Sequence, residues 1–157
     1  MITVGALSCS RHSVAGYSLI ELLIVLAIAG ILLRIATPVY QQHLLSSNRQ
    51  MAKVALFQLM PRQEQFYAMA REYAADTQSL GYAGESYFIN AAGQPVTARD
   101  ESSTYEIRVA AATVGSYTLE AIPIGRQQSD QRCGRLTIQS TGERGSAGSV
   151  SRCWGGM

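Results

Sequence analysis

The longest apolar stretch of the chain runs from Leu19 to Val39 and predicts a helix long enough to cross a bilayer. Only two charged residues interrupt it, Glu21 near its start and Arg34 near its far end. A membrane-spanning helix needs about 20 predominantly apolar residues, which this stretch supplies. Charged side chains inside such a segment are costly and usually have a partner or a function. The stretch therefore predicts a membrane helix with two charged positions that need an explanation.

Ser18 and Glu21 form the S-x-x-E capping-box pattern at the start of this helix. The hydroxyl and the carboxylate of such a pair each bind a backbone N–H group that the first turn leaves without a partner. A carboxylate at this end also interacts favourably with the helix dipole. One interpretation of Glu21 is therefore a helix cap and nothing more.

After Val39 the apolar positions keep a helical spacing and predict an amphipathic continuation of the helix to about residue 73. The predicted apolar stripe consists of Leu44, Met51, Ala55, Leu59, Phe66, Ala70 and Tyr73. The polar residues of this segment, Lys53 among them, lie mostly off the stripe. Pro61 is expected to kink the helix or to begin a new one. The stripe is expected to pack on a sheet formed by the rest of the chain.

The second half of the chain changes from helical to alternating spacing. Residues 74–104 lack a helical period, and their glycines and polar residues predict a long irregular connection. Three alternating segments then predict strands over residues 105–111, 117–122 and 136–139. A helix, a connection and antiparallel strands in that order predict an α+β fold.

The composition predicts neither a metal site nor an enzyme. The chain has 157 residues and a formal net charge of +2, so it has room for one domain and one membrane-length helix. His12 and His43 are far apart and outside any metal-ligand spacing. No serine stands in a recognisable pattern with histidine and aspartate, and no glycine-rich phosphate loop occurs. We therefore predict no catalytic residue, no metal ligand and no cofactor.

The N-terminal motif resembles the signature of type IV prepilins. Its residues are Gly16, Tyr17, Ser18, Leu19, Ile20 and Glu21, followed by the apolar helix. In that family a short leader ends in glycine, and an aromatic residue becomes the new N-terminus. The resemblance implies that a prepilin peptidase cleaves between Gly16 and Tyr17 and that Tyr17 is N-methylated. It also implies that Glu21 neutralises the terminal amine of a neighbouring subunit in a filament.

An ordinary secretory signal peptide is the alternative interpretation of this region. Residues 22–26 would be its apolar core, and the A-x-A sequence before Gly30 would be its cleavage site. The apolar run continues past that site, and Glu21 interrupts the apolar core. Both features favour the prepilin interpretation.

The C-terminal half extends the resemblance to minor pilins of the PilE type. The matching segments are residues 117–123, 133–138, 142–145 and 153–154. The resemblance implies the type IV pilin fold. In this fold a long N-terminal helix packs on an antiparallel β-sheet, and a disulfide closes a C-terminal loop.

The resemblance also implies where the protein is found. Residues 1–16 are expected to be a cleaved leader, 17–40 a transmembrane and filament-core helix, and 41–157 a periplasmic domain. The chain would cross the inner membrane once and later enter an extracellular pilus filament. Its expected partners are prepilin peptidase, other major and minor pilins through the N-terminal helix, and the inner-membrane assembly machinery.

Two of the three cysteines are expected in the mature domain. Cys9 falls in the expected leader, which leaves Cys133 and Cys153. A bridge between them suits an oxidising compartment and would return the glycine- and serine-rich tail to the domain. It would close a loop of about 21 residues, worth roughly 3 kcal/mol in the chain-entropy description. Two free buried thiols are the alternative.

Three functions are compatible with this resemblance. The first is a structural minor pilin that primes or joins the filament and serves adhesion or twitching motility. The second is a pilin that binds DNA for uptake, with candidate contacts Arg126, Arg132, Arg135, Arg144 and Arg152. The third is a pseudopilin of a type II secretion system, against which the cysteine pair and the C-terminal motif argue. Scattered surface charge is the favoured interpretation of the arginines, so the structural role ranks above DNA binding.

Overall fold

The computed structural model of the chain describes residues 18–155. Gly16, Tyr17 and Cys9 lie outside this part. Peptidase cleavage between Gly16 and Tyr17, methylation of Tyr17 and removal of Cys9 therefore stay predictions from the sequence.

One long helix precedes a six-stranded sheet. The elements in chain order are α1 (Leu19–Ala70), β1 (Ser86–Asn90), β2 (Pro95–Val96), β3 (Ser103–Ala112), β4 (Tyr117–Pro123), a 3₁₀ helix (Gly125–Ser129), β5 (Leu136–Gln139), β6 (Arg144–Ser146) and α2 (Val150–Trp154). The strand order is β2-β1-β3-β4-β5-β6, and all neighbours pair antiparallel. The predicted α+β fold, with a long helix and an antiparallel sheet, is confirmed.

The chain divides into two compact units, one ending at Val39 and the next beginning at Tyr40. In the first unit α1 exposes its large apolar side chains, and Glu21 and Arg34 are exposed as well. Within residues 18–155, α1 is the one helix that is long and apolar enough to cross a membrane, judged by length and composition. An apolar surface of this extent is typical of a helix whose surroundings are lipid or other helices.

The start of α1 lies where the capping pattern predicts it. The carbonyl oxygen of Ser18 accepts hydrogen bonds from the N–H groups of Glu21 and Leu22, at 3.0 and 3.2 Å. A residue whose carbonyl accepts the first bonds of a helix occupies the N-cap position. The side-chain half of the capping box stays a prediction.

In the second unit, α1 packs on one face of the sheet. Buried positions of the helix are Ala52, Ala55, Leu56 and Leu59, which follow an i, i+3, i+4, i+7 spacing. The facing sheet residues are those of the predicted alternation: Tyr105, Ile107, Leu119, Ala121, Leu136 and Ile138 are all buried. The alternating pattern therefore assigned the inner face of β4, β5 and the first part of β3 correctly. It is wrong at Ala111, which is exposed because the register of β3 shifts between Val109 and Ala111.

The ends of the predicted apolar stripe are wrong. Leu44 is exposed at 45% and lines a surface cavity, and Ala70 is exposed at the end of the helix. Arg71 has a φ of 61°, a left-handed conformation that ends helices, so Tyr73 lies outside α1. Helical structure continues through Pro61, so this proline does not begin a new helix.

The predicted irregular connection over residues 74–104 is also partly wrong, because it contains β1, β2 and the first residues of β3. Tyr87 and Ile89 of β1 are buried against the core, and the rings of Tyr82 and Tyr87 stack 3.9 Å apart. The five residues of β1 are too few to show a clear alternation of apolar and polar side chains. The strand exists because β3, more than ten residues later in the chain, supplies its hydrogen-bonding partners.

The only lysine of the chain, Lys53, is buried although its position predicted a polar surface site. Its Nζ has no hydrogen-bond partner among the described residues and lies 6.0 Å from the centroid of the Trp154 ring. Trp154, in α2, covers this part of α1, and the helical period alone does not predict that cover. Burial, with additional repulsion from Arg49 and Arg144, lowers the pKa of Lys53 below 10.5.

Lys53→Met is expected to raise the free energy of unfolding by about 1–3 kcal/mol at neutral pH, because methionine fills the space without an unpaired polar group. The folded-state pKa lies below the unfolded one, so the unfolded state binds the extra proton and stability rises with pH. The advantage of methionine should therefore shrink as the pH approaches about 10.5. Denaturation at neutral and alkaline pH measures it, with Gln58→Met, at an exposed position, as the control. An advantage that grows with pH would contradict the expectation.

Candidate nucleic-acid interface

The Cys133–Cys153 disulfide holds the C-terminal tail against the segment that precedes β5. The two Cα atoms are 5.5 Å apart, and both cysteines are fully buried. The predicted bridge is confirmed, and the alternative of two free thiols is wrong. Because Arg132 and Arg152 directly precede the two cysteines, the bridge also brings these two arginines together from distant parts of the chain.

The tail packs closely on the backbone around Arg132. The N–H of Ala147 donates hydrogen bonds to the carbonyl oxygens of Cys133 and Arg135, both at 3.1 Å. A Cβ atom on Gly148 would collide with the carbonyl oxygen of Arg132, so this approach requires glycine. The tail is therefore fixed by backbone contacts as well as by the disulfide.

A cavity of about 420 Å³ lies beside the disulfide and is lined by Arg49, Arg132 and Arg152. Asp130 also lines it, but Nε and Nη2 of Arg49 donate to its Oδ2 at 2.9 and 2.8 Å. Their side chains are 14% and 3% exposed, respectively, which makes this a largely buried ion pair. The charge of Asp130 is thus paired with that of Arg49, and no other carboxylate lines the cavity beside Arg132 and Arg152.

A second cavity of about 690 Å³ adjoins the first, since Leu45 and Ser129 line both. Arg126, at the start of the 3₁₀ helix, is exposed and lines this second cavity together with Glu101. We call the two cavities together the basic groove, defined by Arg49, Arg126, Arg132 and Arg152.

Polar contacts hold the 3₁₀ helix against α1 and so fix the position of the basic groove. Nε2 of Gln127 donates to the carbonyl oxygen of Leu45 and to the hydroxyl of Tyr105, both at 3.1 Å. Nδ2 of Asn48 donates to Oε1 of Gln127 at 3.0 Å. Burial raises the pKa of Tyr105 to about 12, so its hydroxyl stays protonated at neutral pH. Arg126 therefore belongs to a 3₁₀ helix whose position is fixed by hydrogen bonds to α1 and β3.

Two of the five candidate arginines lie outside the basic groove. Arg135 is 3.5 Å from Oε1 of Glu120, which is buried in the sheet and also binds Arg108 at 3.2 Å. The guanidinium of Arg144 lies 5.5 Å from the centroids of both the Phe57 and the Trp154 rings, a cation–π arrangement. The structure thus brings Arg126, Arg132 and Arg152 together and gives the other two arginines packing partners elsewhere.

Sequence reasoning missed the residues that organise the groove. Arg49 is one of the polar residues that lie off the predicted apolar stripe of the helix, and its partner Asp130 is 81 residues away. The burial of Gln127 was not predictable either, because its three hydrogen-bond partners come from α1 and β3. No pattern within a short window predicts contacts between residues so far apart in the chain.

The basic groove is chemically suited to bind phosphate groups. Guanidinium groups form paired, charge-assisted hydrogen bonds with phosphate oxygens, and Arg126, Arg132 and Arg152 are all exposed. In the part of the chain that the structure describes, no group of three or more histidine, cysteine, aspartate or glutamate residues could hold a metal ion. Exposed arginines along adjoining cavities suit a polymer with repeated phosphates better than a single small anion.

Comparison with known families gives two matches. The family described as "Type IV minor pilin ComP, DNA uptake sequence receptor" matches residues 38–137, well over half of the chain. The "Prokaryotic N-terminal methylation motif" matches residues 11–36. The first match includes Arg126 and Arg132 but ends before the tail that carries Arg152. A comparison with curated proteins gave no significant match.

Proposed function

This chain belongs to the type IV minor pilin family described as ComP, DNA uptake sequence receptor, and from that premise we propose that it is a pilin that captures DNA. The sequence interpretation ranked a structural role first and scattered charge above DNA binding. We revise that ranking because the family description names a DNA receptor, and because three of the five candidate arginines border one groove. The family is one of type IV pilins, which leaves the type II secretion alternative without support.

The second part of the proposal concerns the N-terminal region. The methylation motif and the exposed apolar helix fit a membrane-anchored pilin. We propose that peptidase cleaves between Gly16 and Tyr17, that Tyr17 is methylated, and that residues 17–40 cross the inner membrane once. Residues 41–157 then lie in the periplasm until the chain enters an extracellular filament with other pilins, where Glu21 acts in assembly. No contact within residues 18–155 favours adhesion or twitching motility as an additional role.

The observation that carries the DNA proposal is the position of Arg132 and Arg152 on one cavity whose carboxylate, Asp130, is already paired with Arg49. Phosphate contacts of this kind orient a protein on DNA, whereas contacts to base edges read the sequence. The groove should therefore contribute affinity for every duplex, and any preference for an uptake sequence must come from further side chains.

Replacing both Arg132 and Arg152 by glutamine is expected to weaken binding to duplex DNA about 10–100-fold near 0.1 M salt. Each lost phosphate contact should also lower the slope of log affinity against log salt by about 1, so the slope should fall by about 2. The measurement is a salt titration with the complete processed chain in a neutral detergent. Two unrelated duplexes should lose affinity by the same factor, since phosphate contacts carry no sequence information.

The matched control is Arg71→Gln with Arg99→Gln. It makes the same change in net charge at two exposed positions outside the groove and should leave the slope nearly unchanged. If the two double variants lose affinity equally, the groove is not the binding surface. If the wild-type protein shows no salt-sensitive binding, the DNA proposal fails.

A further inference from the structure

A pair of stacked tyrosine rings lies where α1 ends. The centroids of the Tyr67 and Tyr73 rings are 4.7 Å apart, and their planes differ by 27°. Rings stacked at this distance have ring atoms in van der Waals contact. Arg71, with its left-handed backbone, ends the helix between them and lets Tyr73 fold back against its last turns. Both side chains are partly exposed, so an oxidant in solution can reach the pair.

A carboxylate lies beside this pair. The hydroxyl oxygen of Tyr73 is 3.4 Å from each carboxylate oxygen of Glu64, which is exposed. Glu64 and Tyr67 are three residues apart on α1 and therefore lie on the same side of the helix. Partial desolvation and the nearby charge of Glu64 raise the pKa of Tyr73 above 10.0. Tyr73 is thus a protonated phenol at neutral pH, and a base lies within reach of its proton.

We propose that Tyr67 and Tyr73 are a site of oxidative crosslinking, where a one-electron oxidant, a peroxidase with hydrogen peroxide, joins the two rings as dityrosine. The oxidant takes one electron from each phenol, and each phenolic proton leaves with it, that of Tyr73 to Glu64. The two radicals then form one carbon–carbon bond between ring positions next to the hydroxyls. The hydrogens on these two carbons leave as protons while both oxygens are protonated again, which restores two phenols. One hydrogen peroxide takes up the two electrons and two protons and becomes two water molecules.

A second stacked pair makes the proposal selective. The rings of Tyr82 and Tyr87 stack more closely, at 3.9 Å and 6°. Tyr87 is only 4% exposed, however, and burial raises its pKa. The group over the Tyr82 ring is the guanidinium of Arg62, 4.9 Å from the centroid, and a cation cannot accept the phenolic proton. Ring distance alone would favour this second pair, whereas exposure and a base favour Tyr67 and Tyr73.

The proposed crosslink lies away from the basic groove. Tyr67 comes eighteen residues after Arg49 on α1, about 27 Å farther along the helix axis. The inference therefore goes beyond the proposed function and does not depend on it. The link closes a loop of about six residues, which is too short to change the global stability much. Its effect is local, because it ties the last turns of α1 to the segment that leads into β1.

Oxidation of the complete chain in a neutral detergent tests the proposal, at a concentration low enough to disfavour links between chains. Peroxidase and hydrogen peroxide are the probe, and dityrosine is detected by its fluorescence and by mass spectrometry of a tryptic digest. Trypsin cuts after Arg62, Arg71 and Arg99. The expected product is peptide 63–71 joined to peptide 72–99, lighter than the two together by two hydrogen atoms. A link in the second tyrosine pair would instead stay within peptide 72–99.

Substitutions test the ring and the base. Tyr67→Phe keeps an aromatic ring but has no phenolic proton to lose, so the joined peptide should decrease at least about tenfold. Glu64→Gln should slow its formation at least about fivefold, because the amide is not a base. The matched control is Glu72→Gln, which removes an exposed carboxylate next to Tyr73 in the chain and should leave the rate nearly unchanged. Met69 is 80% exposed, so its sulfoxide measures the dose of oxidant in every sample.

Four results would overturn the proposal. The first is oxidation of Met69 without any joined peptide, and the second is a tyrosine link found only within peptide 72–99. The third is crosslinking only between chains, for example through Tyr40, which is 67% exposed. The fourth is a rate in Glu64→Gln that equals the rate in the wild type or in Glu72→Gln.

Discussion

Glu21→Gln is expected to yield a protein that is made, inserted and cleaved, yet enters filaments at least about tenfold less than the wild type. Glutamine still accepts a hydrogen bond at the capping-box position, so α1 should form as before. In the proposed filament it could not neutralise the terminal amine that cleavage would give Tyr17 of a neighbouring subunit. An unpaired charge buried among apolar helices costs several kcal/mol, and each 1.4 kcal/mol corresponds to about a factor of ten.

The measurement is the ratio of this protein in sheared pili to that in the membrane fraction, for wild type and variant. Ser18→Ala is the matched control, because it weakens the cap by about 1 kcal/mol and leaves the carboxylate unchanged. Glu21→Asp keeps the charge and should retain part of the assembly. An unchanged ratio in Glu21→Gln would mean that Glu21 is only a helix cap.

Cys133→Ser with Cys153→Ser is expected to lower the free energy of unfolding by about 2–5 kcal/mol. The bridge closes the loop that contains β5, β6 and α2 up to Cys153, and without it the unfolded chain gains conformational entropy. Arg132 and Arg152 would also lose the covalent link that brings them together, so the proposed binding of duplex DNA should weaken together with stability.

The chain offers a direct probe for this change. Trp154 is its only tryptophan, lies next to Cys153, and is 3% exposed. In denaturant, its fluorescence should shift at a lower concentration in the double variant than in the wild type. Reduced wild-type protein should behave like the variant, since both lack the bridge. Free thiols titrated in the native mature protein would contradict the expectation.

The sequence predicted best those segments in which the spacing of apolar residues is regular over several residues or the apolar run is long. The part of α1 after Val39, and strands β3, β4 and β5, each repeat an apolar spacing over several residues, so burial on one face follows from the backbone geometry. The part from Leu19 to Val39 was predicted from its continuous apolar run instead. The cysteine pair was predictable for a different reason. Once Cys9 is assigned to the leader, two cysteines remain, and an oxidising compartment favours their pairing.

The sequence did not reveal the short strands at both ends of the sheet. β2 has two residues and β6 has three, which is too short for any alternation to be recognised. Each is a strand because a neighbour offers it hydrogen bonds, β1 in one case and β5 in the other. Strand pairing of this kind depends on residues far along the chain and is decided by the fold.

The sequence alone determined which residues this chain has for its chemistry: two charges in an apolar helix, two cysteines, and arginines near the C-terminus. Only the tertiary structure decided that Arg126, Arg132 and Arg152 share a groove while Arg135 and Arg144 do not. It also decided that Lys53 is buried, because α2 packs over a helix position that the local period predicts as polar. The physical reason is the same in both cases. A helical or strand period determines the face on which a side chain lies, whereas its neighbours and its exposure depend on segments that only folding brings beside it.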